Sequence, residues 1–280
     1  MIDIKIFQVE KGFCSAIEFS HHMTILIDCG LGRKFKPAEY IWHRQCKYLD
    51  YLILPAYSND HLQGFSDLVT QSFQHYIPIH FLVYNPILNP EQISTIKPFP
   101  LPSVNSLYNP IGNNKNIEVE GLKLTFFWNE NKVFGTEYSL GLVTFLEYAD
   151  IKIIFPSDLD NAGWNNLLQS YEFRHKLEKV NIFVASSHGE EKGYCREIFN
   201  YCKPEIIIVS NKDNKPLNPR MKELYNGHAK GSIVGVSDNN QRLYSTYEDG
   251  GIKISKYLDR LKHISTQHKG NLSPYLDNYI

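Results

Sequence analysis

Three apolar runs in this chain end in the same way: each passes directly into a turn that carries an aspartate or a histidine. They are Leu52-Ile-Leu-Pro-Ala-Tyr-Ser-Asn-Asp60-His61, Ile153-Ile-Phe-Pro-Ser-Asp158 and Ile182-Phe-Val-Ala-Ser-Ser-His188-Gly189. Short continuous apolar runs closed by turn residues are the pattern of buried strands. With those strands side by side, Asp60, His61, Asp158 and His188 converge at one sheet edge. Carboxylate and imidazole ligands suit zinc or manganese, and an open coordination position holds a water. A metal lowers the pKa of that water and polarises the phosphoryl or carbonyl group to be cleaved.

The remaining chain supplies the frame. Strand patterns cover 2–9, 14–19, 23–28, 48–55, 79–84, 117–128, 138–148, 151–155, 180–185, 205–210, 232–236 and 243–246. The run 23–28 leads into Asp28-Cys-Gly30, where Gly30 permits a tight exit. Helices are expected over 65–73, 163–171 and near 194–201. Residues 76–115 are rich in Pro and Asn and read as one strand followed by a long irregular excursion, a form that often covers a site. Many strands with few helices fit a layered α/β sandwich (α+β layered) better than an alternating βαβ sheet. No solenoid period and no linker is visible. Residues 1–254 read as one domain, and 255–280 as a polar helix and tail.

Composition narrows the function. With 280 residues, 42% of them apolar, the chain is long enough for a real core, and 13% aromatic content excludes disorder. A formal charge of −1 argues against a broadly basic nucleic-acid coat, leaving only local attraction for phosphates. The alternating start, Met1-Ile-Asp-Ile-Lys-Ile, lacks the pattern of a signal peptide, and no apolar run reaches the roughly 18 residues of a spanning helix. Five scattered cysteines read as free thiols in a reducing cytoplasm, and no membrane association is expected.

Taken in order, strand-Asp-Cys-Gly, the Asp60-His61-Leu-Gln-Gly64 segment, Ser139-Leu-Gly-Leu-Val143, strand-Pro-Ser-Asp158 and strand-Ser-Ser-His188-Gly resemble the metallo-β-lactamase fold, an αββα sandwich. The closer resemblance is to the hydrolase domain of the ComEC competence-protein family. It extends through Lys203-Pro-Glu-Ile-Ile-Ile-Val-Ser and Leu243-Tyr-Ser-Thr-Tyr-Glu-Asp-Gly-Gly-Ile-Lys-Ile, roughly residues 1–254. The family's first motif, His-x-His-x-Asp-His, here reads Ala56-Tyr-Ser58-Asn-Asp60-His61, and its later His-His pair reads Ser187-His188. The resemblance therefore implies a degenerate metal motif with at most one well-formed position. Its ligands are Asp60, His61, Asp158 and His188, with Asp60 and Asp158 as the catalytic carboxylates. The cofactor expectation is one zinc or manganese ion, or none.

Blander explanations stand beside these. Asp60 and Asp158 each precede a helical stretch, where an aspartate ordinarily caps the first backbone N–H groups. His21-His22 sits at a strand start with side chains on opposite faces, so joint ligation is not expected. Cys195 and Cys202 read as core residues. The basic run Lys253, Lys256, Arg260, Lys262 and Lys269 reads as a solvated face, and Phe126-Phe127-Trp128 as strand core. Two functions follow. One is a metal-dependent phosphodiesterase or nuclease, with nucleic acid or a nucleotide as substrate. The other is a catalytically degenerate pseudoenzyme that serves as a binding or assembly subunit for a protein partner.

Overall fold

The computed structural model describes residues 1–20, 22–56, 58–74, 77–87, 109–111, 115–130, 137–231, 241–257 and 263–267. Its first strand already shows how the fold arises. In β1 (Ile2–Ile6) the sequence alternates, so Ile2, Ile4 and Ile6 point to one face while Asp3 and Lys5 point to the other. The three isoleucines join the core between two sheets, each burial contributing about 1.5–3 kcal/mol. On the opposite face Lys5 meets Glu18 at 3.2 Å, and Arg44 reaches the same carboxylate at 2.8 Å.

β2 (Ser15–Phe19), β3 (Met23–Ile27), β4 (Leu49–Leu54), β5 (Ile79–Tyr84), β13 (Ile252–Lys256) and β14 (His263–Thr266) complete the first sheet, in the order β14-β13-β1-β2-β3-β4-β5. The second sheet contains β6 (Asn116–Val119), β7 (Leu122–Phe127), β8 (Val143–Tyr148), β9 (Ile151–Phe155), β10 (Ile182–Val184), β11 (Ile206–Val209) and β12 (Leu243–Ser245). Its order is β12-β11-β10-β9-β8-β7-β6. Strand alternation divides the apolar residues into three groups. Ile25, Ile27, Leu124, Ile153, Ile182 and Ile208 fill the space between the sheets. Leu26, Leu52 and Leu54 face the helices α1 (Pro37–His43) and α3 (Phe65–Gln74). Ile154, Phe183 and Ile207 face α4 (Asn161–Leu167), α5 (Tyr171–Leu177) and α6 (Pro219–His228). The result is an αββα sandwich, as the sequence implies. The short helices α2 (Asn59–Leu62) and α7 (Thr246–Asp249) follow β4 and β12.

Several elements differ from the sequence expectation, each for a local reason. The run 117–128 is a hairpin, broken where Glu120 and Gly121 both take positive φ. The stretch 163–171 ends at Leu167, and Ser170 caps a separate helix, accepting from the Phe173 N–H. The segment near 194–201 is a 3-10 turn over Arg196–Asn200. Helix α1 was not expected, although Pro37 at its first position is a start signal. Helix α6 likewise begins Asn218-Pro219, with the Asn218 side chain accepting from the Arg220 N–H. In the polar 255–280 region, read as helix and tail, the described stretch His263–Thr266 is a strand antiparallel to β13. The expected strand 232–236 and most of the Pro/Asn excursion lie outside the described residues, as do His21, Arg260, Lys262 and Lys269.

Candidate metal centre

Five strand ends meet at one place. β3 is parallel to β4, and β9, β10 and β11 are mutually parallel, so their C-terminal ends gather along the same edge of the sandwich. Such ends are where α/β sheets form ligand sites. β3 leads into Asp28, β4 through Pro55 into Asp60 and His61, and β9 into Ser157 and Asp158. β10 leads into a 3-10 turn carrying His188, and β11 into Ser210 and Lys212.

The backbone is strained at these ends. Asp28 (φ 69°), Ser157 (59°), Ser187 (47°) and His188 (58°) all occupy the left-handed region, each costing about 1 kcal/mol or more for a residue with a Cβ. The turn is held by hydrogen bonds that these conformations permit. Ser187 Oγ donates to the Asp158 carbonyl at 3.0 Å, and Ser186 Oγ donates to the Leu159 carbonyl at 2.6 Å. On the other side, Gly12 (φ 69°) lets its loop lie against α2, where an added Cβ would run into the Asp60 carbonyl.

His61, Asp158 and His188 come together as the sequence expects. His61 Nε2 lies 3.1 Å from Asp158 Oδ2, and His188 Nε2 lies 3.7 Å from Asp158 Oδ1. All three are buried, with 1%, 7% and 6% of their surface exposed. Asp60 is drawn elsewhere: its carboxylate accepts from Lys212 Nζ at 2.5 Å in a half-buried ion pair. Neither aspartate is an N-cap. Ser58 precedes α2, and Asp160 caps α4, accepting from the Gly163 N–H at 2.8 Å.

The structure adds residues the sequence reading gave no role. Asp28, fully buried, binds His61 Nδ1. Its signal was the Asp-Cys-Gly exit of β3. The Ser210 carbonyl binds His188 Nδ1 at 3.0 Å. Lys212 lies in an ordinary polar turn and has no such signal. The other sequence candidates behave as structural residues. His22 is exposed beside Glu120, and Cys195 and Cys202 are buried, which pushes their thiols up to about 11 and about 12. Phe126 and Phe127 are core, and Lys253 and Lys256 pair with Asp3 and Asp150.

Charge in the site follows from burial and these pairs. Burial works against a charged His61, but Asp28 and Asp158 outweigh it and hold the imidazole well above its ordinary pKa. Burial would also raise Asp158, yet His61, then His188 and Lys192, keep it well below the usual carboxylate range. Burial raises Asp28 and lowers His188. The hydrogen bond from Lys212 lowers Asp60.

The chain superposes on the metallo-β-lactamase fold protein YhfI from Bacillus subtilis with a TM-score of 0.54 and 11% identity, covering 88% of this chain and 96% of that one. It superposes on Igni18, a metallo hydrolase from Ignicoccus hospitalis, at 0.50 and 9%, covering 91% and 100%. The chain has the metallo-β-lactamase fold. A point variant of the β-hydroxylase CmlA gives 0.55 and 11%, covering 90% of this chain and 53% of that one. No protein-family model and no curated protein matches the chain by sequence.

Each imidazole has its Nδ1 engaged by an acceptor, which leaves Nε2 for a ligand. His188 Nε2 is buried beyond hydrogen-bond distance of any partner, whereas His61 Nε2 faces Asp158 Oδ2 at 3.1 Å. Donors bonded to one tetrahedral zinc at about 2.0–2.1 Å lie about 3.4 Å apart. The two observed Nε2–carboxylate separations, 3.1 and 3.7 Å, bracket that spacing. As placed, these side chains hold one another: among the described residues no group of three or more His, Cys, Asp or Glu closes on a common point. Ala56 and Ser58 bring no imidazole to a second position. The donors present would serve at most one ion.

Proposed function

We propose that this protein is a metal-dependent hydrolase of phosphodiesters, with nucleic acid or a nucleotide as substrate and one ion held by His61, Asp158 and His188. The observation that carries the reading is a pair of buried imidazoles, each fixed from behind at Nδ1, whose Nε2 atoms flank one carboxylate. A bound zinc or manganese ion supplies there a water of lowered pKa and positive charge toward a developing oxyanion.

The chain's own residues do the rest. Asp28 and the Ser210 carbonyl orient the two rings, and His61 keeps Asp158 ionised as a ligand. Lys192 and Lys212 place positive charge around the site, which favours an anionic substrate over a neutral one. The closer kinship to ComEC-type hydrolase domains, the degenerate first motif and a cytoplasmic location belong to the same reading. Turnover of bis(p-nitrophenyl) phosphate, DNA and cyclic nucleotides with Mn²⁺ or Zn²⁺ tests it. Activity should vanish in Asp158→Ala, and equal turnover by that variant would sink the reading.

One observation favours a second reading, a binding or assembly subunit with a protein partner. The cavity at the three residues is about 20 Å³, room for about one water-sized particle, and the Lys212–Asp60 pair occupies the neighbouring carboxylate. Stoichiometric metal without turnover on any of these substrates would favour this alternative.

A further inference from the structure

Asp60 is the sequence-expected ligand that the structure leaves outside the group of His61, Asp158 and His188, and its carboxylate holds a lysine instead. Lys212 Nζ donates to Asp60 Oδ2 at 2.5 Å, which joins the turn after β11 to α2 after β4, one from each sheet. Both side chains are half-buried, so the pair stands at the rim of the site.

The segment that carries Lys212 is fastened on both sides. Before it, Asn211 is buried, and its N–H donates to Thr246 Oγ1 at 2.8 Å. The Asn211 Oδ1 accepts from Ser245 Oγ at 2.7 Å and from the Tyr247 N–H at 3.1 Å. After it, Asp213 and Asn214 take φ of 54° and 51°, a left-handed conformation kept at a cost. The Asp213 N–H donates to the Glu10 carbonyl at 2.7 Å, and Gln8 Nε2 donates to Asn214 Oδ1 at 3.0 Å. A solvent-accessible Lys–Asp pair adds little stability by itself. Stability therefore does not account for a lysine mounted in this way.

Its chemistry does. An ammonium carries three protons, and Asp60 Oδ2 takes one of them. The others are donors for a second acceptor, and a phosphoryl oxygen makes a strong, charge-assisted one. The charge also extends to the neighbouring ligands: burial lowers His188 most, and the positive charges of His61 and Lys212 add to that.

We propose that Lys212 is the substrate-binding cation of this site: Asp60 holds its ammonium at the rim, and a phosphoryl oxygen of the substrate takes the remaining protons. This rests on the phosphodiester reading given above and deepens it, by assigning the residue that recognises the phosphate. Asp60 is then a positioning residue for Lys212. A fixed ammonium supplies charge without generating a nucleophile, so it binds and orients the phosphodiester while the groups at Asp158 carry the hydrolysis. It does so where Ala56 and Ser58 bring no imidazole to hold a second ion.

The experiment is calorimetric titration of the full chain with inorganic phosphate at low ionic strength, both metal-free and with one equivalent of Zn²⁺. The proteins are the wild type, Lys212→Met, Lys212→Arg and Asp60→Asn, and thermal unfolding of each accompanies the titration. The wild type should bind one phosphate, and Lys212→Met should bind it about 10–100-fold more weakly. Lys212→Arg keeps the charge and should keep most of the affinity. Asparagine leaves the ammonium an acceptor and removes the competing charge, so Asp60→Asn should bind phosphate more tightly. A lysine that only ties two turns together would give Lys212→Met and Asp60→Asn equally lowered melting temperatures and unchanged phosphate affinity, which overturns the proposal. A wild type that binds no phosphate in either form overturns it too. Lys212-dependent phosphate binding without turnover of any phosphodiester supports the lysine assignment while the hydrolase reading falls.

Discussion

His61 is the side chain whose protonation decides what the site holds. It lies between Asp28 and Asp158, and those carboxylates raise its pKa well above the ordinary imidazole value despite burial. The metal-free protein therefore keeps this proton at neutral pH. The stability it lends is fully present below the unfolded imidazole value, about 6.5, and is lost as pH rises through the folded value. An ion competes for the same nitrogen, so binding at pH 7 should release about one proton and affinity should rise with pH. Titration in buffers of different ionisation enthalpy measures the release, and an enthalpy independent of buffer would contradict it. Asp158 has the opposite sign: its lowered pKa gives stability above about pH 4, lost as pH falls through the folded value.

At the scale of elements, the turns after the strands position the donors, and two of them separate structure from function. Asp160 caps α4 through Gly163 and also accepts from Ser139 Oγ at 2.8 Å, yet it stands apart from the metal ligands. Asp160→Ala should cost about 1–2 kcal/mol in urea unfolding and leave metal affinity within experimental error. A large loss of affinity would mean the cap, and not Asp158, organises the site. Gly12→Ala should do both kinds of damage, since the new methyl group meets the Asp60 carbonyl and the backbone is held at φ 69°. A loss of at least about 1–2 kcal/mol together with weakened metal binding is expected, and a variant with wild-type stability would refute the contact.

The same turns explain what was legible in the sequence. The strands of the sandwich could be read because β1 alternates apolar and polar residues, and β9, β10 and β11 are short, mostly apolar runs bounded by turn residues. His61, Asp158 and His188 could be read because each follows such a run. Lys212 could not, because a lysine in a polar turn looks like any solvated lysine until the sheets are assembled and Asp60 lies beside it. Asp160 was overlooked for Asp158 two residues earlier, since cap position depends on where the helix begins, and strand patterning leaves that open. Asp28 stood in view as a strand exit, but its role depends on the parallel pairing of β3 with β4, a long-range contact.

On the scale of the whole molecule, the described residues form two seven-stranded sheets around a shared core, and the C-terminal ends of β3, β4, β9, β10 and β11 come to a common edge. Contacts across that edge tie the sheets together: the Leu142 N–H donates to the Pro55 carbonyl at 2.8 Å, and the Asp213 N–H to the Glu10 carbonyl at 2.7 Å. An ion bound between the two halves should therefore stabilise the entire fold. At 100 times its dissociation constant it adds about 2.7 kcal/mol, which for a chain of this size raises the melting temperature by about 5–10 °C. Differential scanning calorimetry with and without Mn²⁺ or Zn²⁺ measures the shift, and Asp158→Asn should show none. Among the described residues no helix is long and apolar enough to cross a membrane.

The most direct test of the central claim is metal content by elemental analysis, after purification without an affinity metal and dialysis against Zn²⁺ or Mn²⁺. One equivalent per chain in the wild type and none in Asp158→Asn is the expected result. No metal in the wild type, or two equivalents, would contradict a single position built from His61, Asp158 and His188.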